Sequence, residues 1–76
     1  MDKKQFGTLI KDMRVAKGFT QEKLSEIAGI DYKYLQNLEY GKHIPSLDIV
    51  FKLANALNLK GWEFVKTFEE ANKSQS

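Results

Sequence analysis

The sequence predicts a small all-helical domain, and three observations lead to that fold class. Apolar residues recur three and four positions apart along most of the chain, which is the period of an amphipathic helix. Residues typical of helix ends, mainly Asp, Ser, Thr and Gly, divide this pattern into short segments. The chain has a single proline, Pro45, and no internal repeat of roughly 20 to 50 residues. We therefore expect short helices joined by short turns.

The first two predicted helices are each followed by a glycine. The first covers residues 4–17 and ends before Gly18, and the second covers residues 21–28 and ends at Gly29. Thr20 is a good N-cap for the second helix, and Glu22 in its first turn favours the helix dipole. The inward-facing residues are expected to be Phe6, Leu9, Ile10 and Met13 in helix one and Leu24, Ile27 and Ala28 in helix two.

Three further helices complete the predicted architecture. Helix three covers residues 32–40, with Asp31 as its N-cap. Pro45 interrupts the following stretch, and helix four then covers residues 47–57, with Ser46 or Asp48 at its start. Helix five covers residues 61–72. The expected fold is a five-helix, all-α domain.

Length and composition restrict the function classes. The 76 residues form one domain, 1–76, with a core over about 4–70 and a frayed polar end at 71–76, which leaves no room for a catalytic module. There are no cysteines and His43 is the only histidine, so we expect no metal and no cofactor. No apolar stretch resembles a signal peptide or a membrane span, so we place the protein in the cytoplasm and expect no membrane partner. The net charge of +2 permits binding to nucleic acid without demonstrating it.

Helices two and three form the informative feature of the sequence. Small Ser25 allows the two helices to approach closely, and Gly29 permits the positive φ that a tight turn between them requires. Leu35 and Leu38 give helix three an inward stripe. Its other face is polar and aromatic, and such a surface is chemically suited to the base edges of a DNA major groove. The residues of that face are Asp31, Tyr32, Lys33, Gln36, Asn37 and Tyr40.

The segment TQEKLSEIAGIDYKYLQNLEYGK, residues 20–42, resembles the helix-turn-helix of the lambda-repressor and Cro-like proteins, also called the XRE family. The resemblance extends from about Phe6 to Phe64. A narrower similarity links the chain to the small controller proteins of restriction-modification systems, and phage and mobile-element repressors share the same outline. The resemblance implies a transcription regulator, bacterial or phage-encoded, that binds double-stranded DNA and is not an enzyme.

The resemblance also implies roles for individual residues. The base-facing positions of helix three match Tyr32, Lys33, Gln36 and Asn37. The positions that hold the DNA backbone match Thr20, Gln21, Tyr40, Lys42 and His43. Lysine prefers guanine, while glutamine and asparagine can pair bidentately with adenine. Tyr32 stands where many relatives carry a smaller polar residue, so thymine-methyl packing, phosphate binding and no contact all stay open for it.

Arg14 is the only arginine of the chain. In relatives the matching arginine pairs with an acidic residue near the end of helix three, which here is Glu39. A guanidinium can bind a carboxylate through two hydrogen bonds, which explains an arginine among many lysines. We expect this structural pair, and direct contact of Arg14 with a phosphate is the alternative.

The apolar residues of the last helix have two interpretations. Trp62, Val65 and Phe68, together with Phe51 of helix four, either wrap over the domain's own core or form a two-fold dimer interface. We expect the homodimer, bound to an inverted-repeat operator. An alternative function is a protein-interaction module, such as the antitoxin of a toxin–antitoxin pair.

Overall fold

The computed structural model describes residues 2–59, Lys66, Glu69 and Glu70. Within this part the chain forms α1 (Lys3–Ala16), α2 (Gln21–Ala28), α3 (Tyr32–Glu39) and α4 (Leu47–Ala56). No strand occurs in the described ranges. The all-helical class is confirmed, and the first four predicted helices agree with the observed ones to within one residue at each end.

The predicted fifth helix, residues 61–72, lies mostly outside the described residues. Lys66, Glu69 and Glu70 are the described residues within it, and they are helical. The architecture that the structure establishes is therefore one of four helices. The polar end predicted at 71–76 also lies outside the described part.

Side-chain caps determine where the four helices begin. Thr20 accepts a hydrogen bond from the Lys23 amide at 3.0 Å, and Asp31 accepts one from the Tyr34 amide at 3.0 Å. Ser46, rather than Asp48, caps α4. Asp2 caps α1, which explains why that helix begins one residue earlier than predicted. Each cap satisfies an amide that has no partner within its own helix.

A single core lies between the helices. α3 packs against α1 and α2, and α2 packs against α4. The buried apolar residues are Phe6, Ile10, Leu24, Ala28, Leu35, Leu38, Val50, Leu53, Ala54 and Leu57. Leu9, Met13, Ile30 and Tyr34 are partly buried against them. The core thus holds α3 by its apolar face and leaves its polar face outside.

The inward position predicted for Ile27 is wrong, because 45% of this residue is exposed. The buried residues of α2 are Leu24, Ser25 and Ala28. At about 100° per residue, Ile27 lies well outside the arc that these three residues define. Its spacing of three from Leu24 fits a helical stripe, but the other helices pack on the opposite flank of that stripe.

Candidate nucleic-acid interface

The turn between α2 and α3 sets the relative position of the two helices. Gly29 ends α2 in the left-handed conformation, at φ +70° and ψ +35°. The Ile30 amide donates to the Ser25 carbonyl oxygen at 3.0 Å, which closes the turn. Ser25 is buried, and its hydroxyl donates to the Glu22 carbonyl oxygen at 2.8 Å. A small residue whose hydroxyl is satisfied locally lets α2 approach its neighbours without leaving a polar group unpaired.

One face of α3 is anchored in the core, and the opposite face is available to a ligand. Leu35 and Leu38 are fully buried. Tyr32 and Lys33 are exposed, and Gln36 and Asn37 are half-buried. The four predicted base-facing residues therefore lie together, outside the core, on a helix whose position the core fixes. This arrangement suits insertion into a groove.

Arg14 and Glu39 lie together, as the resemblance implies. Arg14 Nε is 2.7 Å from Glu39 Oε2, and Arg14 Nη2 donates to Glu39 Oε1 at 3.0 Å. The remaining terminal nitrogen, Nη1, donates to the Phe19 carbonyl oxygen at 2.8 Å. The two side chains are only 11% and 2% exposed. One guanidinium thus connects α1, the loop before α2 and the end of α3 by short charge-assisted hydrogen bonds.

The ion pair also affects protonation. Hydrogen bonding to Glu39 is the main reason that the pKa of Arg14 lies above its ordinary value, and the negative charge of Glu39 acts in the same direction. Desolvation of the guanidinium lowers the pKa but does not cancel this increase. Because the shift is upward, its contribution to stability is fully present at neutral pH and is lost only in strong alkali.

Gln21 and Gln36 extend this network to the polar face of α3. Gln21 Nε2 donates to Glu39 Oε1 at 3.0 Å. Gln36 Nε2 donates to Gln21 Oε1 at 3.4 Å and to the Tyr32 hydroxyl at 3.2 Å. The first residue of α2 is therefore joined to both the middle and the end of α3. The family resemblance assigns Gln21 to the DNA backbone and does not predict these particular partners.

The residues assigned to the DNA backbone lie at the start of α2 and at the end of α3. Thr20 Oγ1 accepts the cap hydrogen bond from Lys23, which leaves the hydroxyl proton free to donate. Tyr40, Lys42 and His43 are exposed in the loop that follows α3. The His43 ring stacks on Tyr34, with 5.7 Å between ring centroids and 20° between ring planes. This stacking holds the loop against α3.

Gly7 is a functionally relevant residue that the sequence reasoning missed. A Cβ atom at Gly7 would lie 2.4 Å from the Leu38 carbonyl oxygen and 2.8 Å from that of Glu39. Only glycine therefore allows α1 to cross so closely over the end of α3, where Glu39 reaches Arg14. A glycine inside a helical pattern is the signal that could have identified this crossing.

The residues assigned to a dimer interface are only partly described. Phe51 is 50% exposed, and two other apolar residues near it in sequence, Ile44 and Leu47, are also exposed. Leu47 and Phe51 lie one turn apart on α4, and we call these two residues the α4 apolar face. Trp62, Val65 and Phe68 lie outside the described residues.

Among the described residues, no group of three His, Asp or Glu side chains could hold a metal ion. None of the described helices is long and apolar enough to cross a membrane.

Comparison with known proteins places this arrangement in a family. A helix-turn-helix family model matches residues 10–61, which include α2, α3 and α4. The HTH-type transcriptional regulator YgzD of Bacillus subtilis is 35% identical over 63 residues, which cover 83% of this chain and 94% of YgzD. The chain therefore belongs to the helix-turn-helix family, of the XRE type that its sequence resembles.

Solved structures agree with this assignment. The restriction-modification controller protein C.AhdI from Aeromonas hydrophila matches with a TM-score of 0.78 and 36% identity, over 83% of this chain and 96% of that protein. The biofilm regulator SinR, solved in complex with DNA, matches with a TM-score of 0.72 and 28% identity, over 79% of this chain and 97% of SinR. The similarity to restriction-modification controller proteins predicted from the sequence is confirmed.

Proposed function

We propose that the protein is a sequence-specific regulator of transcription that binds double-stranded DNA and inserts α3 into the major groove. The observation that carries this proposal is the two-sided character of α3. Leu35 and Leu38 are fully buried on one side, whereas the polar residues of the other side can reach base edges. Membership of a family with HTH-type transcriptional regulators, and the similarity to SinR in its DNA complex, support the same function.

In this proposal the contacts divide into two groups. Lys33, Gln36 and Asn37 contact base edges, and Tyr32 lies beside them on the same helix. The start of α2 and the loop after α3 contact the DNA backbone, because free donors and positive charge suit phosphates. The backbone-contacting residues are Thr20, Gln21, Tyr40, Lys42 and His43.

We further propose that the protein acts as a homodimer on an inverted repeat. The exposed α4 apolar face supports an interface between copies, since burying Leu47 and Phe51 against a partner would remove apolar surface from water. Trp62, Val65 and Phe68, which lie outside the described residues, would complete that interface. A two-fold axis would place the two α3 helices about 34 Å apart, in successive major grooves.

Selection of binding sites from random DNA duplexes tests the proposal directly. We expect one enriched motif with inverted-repeat symmetry, bound less tightly as the salt concentration rises, because phosphate contacts release counterions. Asn37→Ala is expected to cost about 1 to 3 kcal/mol on the preferred site and to relax preference at one base step. Asn55→Ala, at an exposed position of α4, is the matched control. A selection that enriches no sequence would refute sequence-specific recognition.

A further inference from the structure

Hydrogen bonds connect Arg14 to Gln36 through Glu39 and Gln21. The charges of Arg14 and Glu39 determine which group donates and which accepts at each step. Arg14 can only donate, and an ionised carboxylate such as Glu39 can only accept. Glu39 Oε1 accepts from both Arg14 Nη2 and Gln21 Nε2, each at 3.0 Å. The Gln21 amide must therefore direct its nitrogen toward Glu39. Gln21 Oε1 can then accept a hydrogen bond from α3.

The same order of donors and acceptors continues from Gln21 on α2 to Gln36 on α3. Gln21 Oε1 is an acceptor, so the Gln36 group that faces it at 3.4 Å has to be the donor, Nε2. The second hydrogen of Gln36 Nε2 points to the Tyr32 hydroxyl oxygen at 3.2 Å. Both amide hydrogens of Gln36 are thus engaged within the protein. Among the described residues, no recorded hydrogen bond uses Gln36 Oε1.

The Gln36 side chain can therefore offer an incoming ligand only its acceptor, Oε1, because both hydrogens of Nε2 are already used. A free glutamine can accept from the 6-amino group of adenine and donate to N7 at the same time. Gln36 retains its acceptor, while donation to a base would require it to break a hydrogen bond with Gln21 or Tyr32. Tyr32 accepts from Gln36 and keeps its own hydroxyl proton.

We propose that Gln36 reads a single feature of the DNA, an exocyclic amino group on adenine or cytosine, through Oε1 alone. Gln21 and Tyr32 are positioning residues that hold the amide in this orientation, and the Arg14–Glu39 pair sets the orientation from the core. The inference rests on the proposed DNA-binding function and deepens it. It replaces bidentate pairing of Gln36 with adenine by an acceptor-only contact.

The first test identifies the base step that Gln36 reads. Binding sites are selected from random duplexes with the wild-type protein and with Gln36→Met, a variant of similar length that lacks the amide and keeps only a weakly accepting sulfur. We expect Gln36→Met to lose preference at one step of the motif. At that step the wild-type protein is expected to select adenine or cytosine on the contacted strand, over guanine or thymine.

The second test removes individual groups from the DNA. If the step is adenine, a duplex with purine in its place lacks the 6-amino group, and a duplex with 7-deazaadenine lacks the N7 acceptor. Loss of the amino group is expected to weaken wild-type binding about fivefold to tenfold and to have little effect on Gln36→Met. Loss of N7 is expected to change the affinity of the two proteins by the same factor. If the step is cytosine, a duplex with 2-pyrimidinone in its place lacks the 4-amino group and serves as the corresponding test.

The third test concerns the positioning role of Gln21. Gln21→Met frees the Gln36 amide to rotate, so tolerance of guanine and thymine is expected to rise about fivefold at the Gln36 step only. Loss of a backbone contact or of general stability would weaken binding to all duplexes by one factor and leave the base preference at the Gln36 step unchanged. Glu22→Gln, next to Gln21 but outside the network, is the matched control, and thermal unfolding checks that the variants are folded.

The outcomes separate the inference from the function on which it rests. Failure to enrich any motif would refute sequence-specific binding itself. A motif in which the Gln36 step is guanine or thymine, or in which Gln36→Met alters no step, overturns the acceptor-only contact. The same holds if loss of N7 weakens the wild-type protein more than Gln36→Met. An unchanged base preference at the Gln36 step in Gln21→Met, with or without weaker binding to all duplexes, overturns the positioning role.

Discussion

Two regions of this small domain have surfaces of opposite character, one polar and internally hydrogen-bonded and the other apolar and exposed. Where α1, α2 and the end of α3 meet, polar side chains are connected to one another from the Arg14–Glu39 pair out to Tyr32. The α4 apolar face has the opposite character, since Leu47 is 66% exposed and Phe51 50%. The first region is complete within one chain and held in one geometry. The second region is stabilised only when a partner buries its apolar side chains.

This difference indicates how the two regions contribute to recognition. A rigid, internally bonded surface keeps its donors and acceptors in place before a ligand arrives, which lowers the entropic cost of binding. An uncovered apolar face instead favours association and sets how many copies act together. Substitutions in the first region should therefore change stability and base preference. Those in the second should change assembly while the folded chain persists.

Breaking the buried ion pair is expected to have the largest effect. Glu39→Ala leaves the Arg14 guanidinium buried without its carboxylate, and the free energy of unfolding is expected to fall by about 3 to 5 kcal/mol. Urea denaturation followed by circular dichroism measures this. Asp48→Ala on α4 is the control, because Asp48 pairs with Lys52 at 3.3 Å on the surface, where such pairs contribute about 0.5 kcal/mol or less. Equal losses in the two variants would contradict the ranking.

A substitution at the helix crossing is expected to have the next largest effect. Gly7→Ala brings a methyl group against the carbonyl oxygens of Leu38 and Glu39, so α1 must move away from α3. We expect a loss of about 1 to 3 kcal/mol in the free energy of unfolding, as in other overpacked sites. Thr8→Ala, at the exposed neighbouring position, should unfold like the wild type. A Gly7→Ala protein of unchanged stability would mean that the crossing is not tight.

A substitution in the α4 apolar face is expected to leave the fold intact. Phe51→Ser removes apolar surface that is half exposed, so the unfolding of the monomer should change little. The dimer dissociation constant is expected to rise about tenfold, as for a contributing interface residue, and sedimentation equilibrium measures it. Unchanged self-association, or wild-type protein that stays monomeric while saturating a palindromic site, would exclude this face as the dimer interface.

The sequence predicts the helices and the core better than it predicts the contacts between them. Thr20 and Asp31 are recognisable caps because capping depends on a few neighbouring residues. The apolar period likewise identifies Leu24, Leu35 and Leu38 as core residues. The exposed position of Ile27 was not predictable in this way, because it depends on which flank of α2 the other helices cover.

In the candidate site, too, the contacts between helices could not be predicted from local sequence patterns. The resemblance to a family supplied the pairing of Arg14 with Glu39, two residues far apart in sequence, and no local pattern could have supplied it. The hydrogen bonds from Gln21 to Gln36 and from Gln36 to Tyr32 depend on how the two helices pack and on amide orientation. These properties become readable only when the helices are placed together in three dimensions.

The smallest expected effect concerns the loop after α3 and leaves folding untouched. Lys42 is exposed in the loop beside the polar face, and Lys52 is exposed on α4, beside Phe51. If the polar region alone faces DNA, Lys42→Ala should weaken binding by a similar factor on all duplexes and make the slope of log affinity against log salt about 1 less negative. Lys52→Ala should leave that slope unchanged, because in the proposed dimer α4 faces the partner and not the phosphates. Fluorescence anisotropy at several salt concentrations measures both slopes. Equal changes in the two variants would show that α4 also approaches the DNA, and the division between the two regions would then have to be abandoned.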